Sequence, residues 1–153
     1  MYLWKYLMNR NIELLEFLIE DLDDMTIKYH KGESIKDFKE RLKGAMKLGH
    51  SRLIRYKDKP LAIMGYTILW PGVCELWVMP NEPIEDKGVL ALSLKYSLEI
   101  FVLPQEFHRI QATVLDNDPS EGFLIKLGFE CEGLLRKYDT FKQNYKMWAR
   151  VQL

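Results

Sequence analysis

With 153 residues, 48% of them hydrophobic, the chain can close one full core and reads as a single domain over residues 1–153. Its 22 Lys and Arg balance 22 Asp and Glu, so no bulk field recruits nucleic acid or an anionic membrane, and no apolar run reaches the length of a membrane span. Cys74 and Cys131 lack a metal or redox spacing, and His30, His50 and His108 are scattered, which argues against a zinc site and for a reducing compartment. The opening MYLWKYLMNRN has no small-residue cleavage site, so a cytoplasmic protein is expected.

In chain order, Tyr2 to Leu7 alternates aromatic and aliphatic or Lys residues, which predicts an edge strand. Asn9 or Asn11 then caps an expected helix through Asp24, with Ile12, Leu15, Leu18, Ile19 and Leu22 as its apolar stripe. The other face of that segment is acidic: Glu13, Glu16, Glu20, Asp21, Asp23 and Asp24. Ser34 caps a second helix to Lys47, with Ile35, Phe38, Leu42 and Ala45 inward and Gly49 as the expected terminator. From Lys36 to Lys59 the charge reverses, with nine bases against Asp37, Glu40 and Asp58. Such runs read first as two solvated faces that attract each other across the fold, and second as an acidic partner or a nucleotide 3′-phosphate meeting the basic stretch.

Ser51 to Tyr56, the turn Lys57-Asp58-Lys59-Pro60, and Leu61 to Trp70 predict a hairpin, and Pro71-Gly72 leads into a third strand, Val73 to Met79. Two prolines keep Pro80 to Lys87 from helix. Gly88 to Phe101 is apolar nearly all round and predicts a helix buried on several sides. Arg109 to Leu115 predicts a buried strand, and Asn117-Asp118-Pro119-Ser120 a turn and helix start. Gly128 is expected to end that helix in the left-handed conformation. Strands at Phe129 to Tyr138 and Tyr145 to Val151 follow, joined by Lys142-Gln143-Asn144.

The order β-α-α-β-β-β-α-β-α-β-β makes this an α+β chain with a mixed sheet of about seven strands flanked by about four helices. Together with KPLAIMGY, the Asn117-opened helix and Gly128-Phe129, it resembles the GNAT superfamily of acetyl-CoA-dependent N-acyltransferases. That resemblance implies that Arg109 to Leu115 pairs with Phe129 to Tyr138 and lies beside Val73 to Met79, parting from it toward the latter's C-terminal end. It implies acetyl-CoA as a substrate, an amine as acyl acceptor and three functional positions.

The first is a pyrophosphate cradle, R/Q-x-x-G-x-G/A, where helix N-terminal N–H groups hold the anion. Placed on Glu85-Asp86-Lys87-Gly88-Val89-Leu90, it matches only at Gly88; Glu85 repels phosphate, Asp86 is placed to cap the helix with its own carboxylate, and Leu90 stands where a small residue belongs. Lys87, Gly88 and Val89 remain the candidate phosphate-binding residues. The second is a general-acid Tyr, whose position is occupied by Leu124, an apolar residue with no proton to give. The third is a base on the fourth strand, for which Glu75 is the candidate, sharing a face with Trp77 and opposite to Cys74, Leu76 and Val78. Trp77, Val78, Met79 and Asn117 occupy the positions that take the pantetheine arm, and Gly65 is expected to permit a close approach of ligand or backbone.

Two functions follow from the resemblance. One is N-acyl transfer from acetyl-CoA with a degenerate cradle. The other is a catalytically inactive binding or assembly module, since the chain is also similar to small acetyltransferase-like proteins of tailed bacteriophages, with a virion-assembly or host-interaction role in a host cytoplasm. No nucleic-acid or membrane partner is expected; charge-driven self-association is.

Overall fold

The computed structural model describes residues 11–28 and 32–152. Seven strands form one sheet in the order β1-β2-β3-β4-β5-β7-β6. They are β1 (Ile12–Glu16), β2 (Gly49–Tyr56), β3 (Lys59–Trp70), β4 (Val73–Pro80), β5 (Arg109–Leu115), β6 (Glu130–Leu135) and β7 (Tyr145–Val151). Three α-helices are described, α1 (Ile35–Lys47), α2 (Lys87–Ser97) and α3 (Glu121–Lys126). This mixed sheet with flanking helices is the GNAT fold.

Local chemistry sets most of these elements. Ser34 Oγ accepts the Asp37 N–H at 3.1 Å and starts α1, which turns Phe38 and Leu42 fully inward and leaves Ile35 exposed. Burying each of those two side chains stabilises the fold by about 1.5–3 kcal/mol. Helix α1 stops at Lys47, and Gly49 begins β2 rather than ending the helix; a Cβ there would collide with the Tyr66 carbonyl of β3. Lys57 and Asp58 both take positive φ (48° and 64°), the turn geometry that joins twisted antiparallel strands, and tie β2 to β3. Gly128, at φ 85°, ends α3 as expected.

The sheet divides the core. On one face Met64, Tyr66, Cys74, Leu76 and Ile110 meet Leu90, Leu94 and Leu98 of the α2 region, together with Leu124 and Leu127 from α3 and the residue after it. On the other, Leu53 and Ile63 meet Phe38 and Leu42 of α1.

Four further expectations are corrected. Residues 12–16 are a strand, not the first half of a helix: Ile12 pairs with Tyr56 and Glu16 with Arg52, and only Ile19–Asp24 coils, as a 3-10 helix. Ile12 and Leu14 pack on the α2 face, Leu15 and Phe17 on the α1 face, so both sides of this strand are covered and its apolar residues mimic a helical stripe. The Tyr2 to Leu7 strand lies outside the described residues. Second, β5 does not pair with β6. The β6–β7 hairpin folds so that β7 lies between them, pairing with β5 from Arg109↔Val151 to Leu115↔Tyr145. Third, α2 ends at Ser97; Leu98–Val102 form a π-helical turn, and Leu92 and Ile100 are exposed, so burial is not all round. Fourth, Gly65 makes room for a side chain of the protein itself, the Trp77 ring, which a Cβ at residue 65 would overlap.

The acidic and basic stretches run beside each other in the fold. Strand β1 lays Glu13 opposite Arg55 and Glu16 opposite Arg52, and Lys39 of α1 lies 3.8 Å from Asp23. No described helix is long and apolar enough to cross a membrane.

Candidate functional site

Strands β4 and β5 run parallel for three rows only: Val73↔Arg109, Cys74↔Ile110 and Glu75↔Gln111. Past Glu75 the ladder ends, although β4 continues to Pro80 and β5 to Leu115. The sheet therefore opens into a cleft whose base is the Glu75–Gln111 row, as expected for this pair of strands. An unpaired parallel edge presents main-chain donors and acceptors that an extended amide-bearing chain can satisfy.

Glu75 stands at that base. Alternation along β4 buries Cys74 and Leu76 against α2 and leaves Glu75 half-buried on the opposite face with Trp77. Thr113, two residues up β5 from the last paired row, donates its hydroxyl to Glu75 Oε1 at 3.1 Å. The carboxylate is thus held from both arms of the cleft. Thr113 was not singled out in the sequence; the signal for it is the register, since a parallel partner of Glu75 at Gln111 puts residue 113 on the same face.

The same face continues outward as a polar row. Arg109 donates through Nε to Gln111 Oε1 (2.9 Å) and through its two terminal nitrogens to Glu132 of β6 (3.0 and 2.6 Å). The guanidinium donors hold the Glu132 carboxyl below its ordinary range, and the same bond raises Arg109. Behind Glu75, burial first and the Glu75 charge second push the Cys74 thiol up to about 12, so it is a neutral core group.

Trp77, Val78 and Met79 lie past the last paired row and are half-buried. The Trp77 ring lies on Gly65, and its Nε1 is buried without a hydrogen-bond partner among the described residues. Asn117 follows β5 at φ 63° in an exposed turn. Asp118 Oδ1 then accepts the Ser120 N–H at 2.9 Å, which shapes the entry to α3.

At the head of α2, Asp86 caps the helix: its Oδ1 accepts the Val89 N–H at 3.1 Å. One donor that a pyrophosphate would use is already taken by a fixed negative charge. Glu85, Lys87 and Gly88 are exposed beside it. Leu90, at the position where a small residue was expected, is fully buried in the core and does not face the loop. Leu124 is buried too, packed with Leu127 and Phe129, and supplies no acid. On the strands nearby, Tyr145 donates its hydroxyl to Asp139 Oδ2 (3.4 Å), with the Tyr138 ring centre 5.1 Å from its own. The predicted residues thus form two groups: Glu75 with Trp77, Val78 and Met79 along β4, and Lys87, Gly88 and Val89 at the head of α2.

No family model matches the sequence, and no curated protein matches it. Solved structures do match over nearly the whole chain. A ribosomal-protein-S5-alanine acetyltransferase from Vibrio fischeri aligns with a TM-score of 0.66 and 16% identity, over 92% of this chain and 93% of its own. A microcin C7 self-immunity acetyltransferase, solved with acetyl-CoA and AMP, aligns at 0.71 and 15% identity, over 95% and 94%. An acetyltransferase from Bacillus subtilis, solved with CoA, aligns at 0.70 and 12% identity, over 94% and 99%. At such identities the likeness is one of fold.

Proposed function

We propose that this chain is a GNAT-type N-acyltransferase that takes an acyl group from acetyl-CoA to an amine, with Glu75 as base and a weak hold on the pyrophosphate. The observation that carries the reading is the Thr113-held carboxylate at the base of the cleft between β4 and β5. In this reading the pantetheine arm lies along the free edge of Trp77, Val78 and Met79, with Asn117 across the cleft, and the phosphates approach Lys87, Gly88 and Val89. Glu75 takes the proton of the attacking amine; the new C–N bond forms as the C–S bond breaks. With Leu124 at the acid position, the thiolate is protonated by solvent. Solved acetyltransferases of the same fold that hold acetyl-CoA or CoA support this choice of substrate.

A second reading is favoured by the Asp86 carboxylate on the Val89 N–H. It makes the chain an inactive binding or assembly module, in a bacteriophage a part for virion assembly or host contact, acting in the host cytoplasm through a protein partner or self-association. Calorimetric titration with acetyl-CoA, followed by thiol release with a panel of amines, decides between them. Saturable binding with amine-dependent release supports the enzyme. No binding and no release supports the module.

A further inference from the structure

A second concavity lies on the β1–β3 half of the sheet, on the face that carries α2, whereas the parted strands are β4 and β5. It is an open groove of about 420 Å³ among Leu14, His50, Arg52, Tyr66, Phe101 and Gln105, with Ile100 also on its wall. That volume falls within the ordinary span of small-molecule pockets.

Its outer wall is irregular backbone. After Ser97 the chain does not continue as α-helix; Leu98–Val102 make one π-helical turn, and Glu106 leaves at φ 58°, left-handed without being glycine. Single π-helical turns at the end of an α-helix are rare and are frequent at functional sites. Here the turn carries Ile100 and Phe101 to the pocket.

Four flat groups surround the hollow. The Arg52 guanidinium lies 4.7 Å from the Phe101 ring centre, Phe101 lies 5.2 Å from Tyr66, and Tyr66 lies 5.5 Å from His50. Arg52 donates one bond, from Nη1 to the Ser51 carbonyl at 2.8 Å. Among the described residues it forms no ion pair, not even with Glu16, its facing residue in the β1–β2 ladder. A guanidinium stacked on an aromatic ring keeps its in-plane N–H donors for a planar carboxylate. Leu14 and Ile100 supply the apolar contact, and Gln105 an amide.

We propose that this hollow binds a small planar carboxylate, an aromatic or heteroaromatic acid, with its carboxylate on Arg52 and its ring against Ile100 and Phe101. The site is independent of the acyl-transfer reading and stands or falls without it.

The test titrates benzoate and its uncharged amide, benzamide, into the isotopically labelled full chain, following amide resonances. Benzoate should shift Arg52, Ile100 and Phe101 saturably in the millimolar range, and benzamide should bind at least about tenfold more weakly. Arg52→Gln should abolish the benzoate response. Ile100→Glu, at a half-exposed position, should abolish it too by placing a resident carboxylate at the rim. Absence of saturable shifts at these residues, an equal response to benzamide, or benzoate binding that survives Ile100→Glu would each overturn the proposal. If Arg52→Gln fails to fold, the Ile100→Glu result decides.

Discussion

Thr113 on β5 donates a hydrogen bond to Glu75 on β4, 3.1 Å across the point where the two strands cease to pair. Below this bond the strands are a ladder; above it they are two edges. The carboxylate that the β-alternation leaves half-exposed is therefore fixed at the row where the two edges part.

If Glu75 is the base, Glu75→Gln should lower kcat by about 10²-fold or more, because the amide keeps the shape and loses the proton acceptor. Thr113→Val should cost less, about tenfold, in proportion to one half-exposed hydrogen bond to a charged group, at the low end of about 1.5–3 kcal/mol. Steady-state thiol release checks both. Equal activity in wild type and Glu75→Gln removes Glu75 from the chemistry, whatever the cleft binds.

Gly65→Ala tests the β4 wall. A Cβ at residue 65 would overlap Trp77 Cζ2, so the ring must leave its place on β3. Overpacking of this kind destabilises by about 1–3 kcal/mol. The urea midpoint should fall and Trp emission should shift to the red. An unchanged midpoint would mean that the ring has room to move.

The two cysteines should separate cleanly. Cys131 is exposed and Cys74 buried. An aromatic disulfide reagent at neutral pH should titrate one thiol in the native chain and two in denaturant. For Cys74, burial and the neighbouring Glu75 charge raise the folded value from 9.0 to about 12. Within that window the unfolded chain releases a proton that the folded chain keeps, so stability is full below pH 9.0 and declines as pH rises toward 12. Urea midpoints across the alkaline range should fall less steeply for Cys74→Ala than for wild type.

Where the sequence was legible, one local cause sufficed. Ser34 capped α1, Lys57-Asp58 turned β2 into β3, Gly128 ended α3, and Asp86 capped α2. Where it was not, the cause was remote. Ile12–Glu16 is a strand because β2, some forty residues on, pairs with it, and coverage on both faces erased the alternation that would have marked it. The insertion of β7 between β5 and β6 is a choice of side that no hairpin turn encodes. Glu75 was visible as a lone carboxylate on an apolar strand. Its partner Thr113 was not, because a single Thr in a β-run is ordinary until the register is known. The π turn at Leu98–Val102 was hidden by an apolar run that reads as uninterrupted helix.

The head of α2 offers the sharpest test of what the loop does. Asp86 Oδ1 occupies the Val89 N–H, and Glu85 stands exposed beside it, so acetyl-CoA should bind the wild type weakly or not at all. Asp86→Gly frees that donor and removes one charge, at a capping loss of only a few tenths of a kcal/mol, since Gly is itself tolerated at this position. Glu85→Gln removes the second charge and restores the residue type that the GNAT cradle carries. Near a surface each repulsion amounts to about a few kcal/mol at contact range before salt screening. Affinity measured calorimetrically should therefore rise at least about tenfold, equivalent to about 1.4 kcal/mol, in the double variant. Asp86→Asn separates the two effects, because it keeps the cap and drops the charge: a gain there assigns the deficit to repulsion, and no gain assigns it to the occupied donor. Leu90→Gly does not belong in the series, since Leu90 is fully buried and its loss would open a core cavity costing about 2–5 kcal/mol. Tight binding by the wild type that weakens in Asp86→Gly would show the capped loop to be a working anion site of a different design.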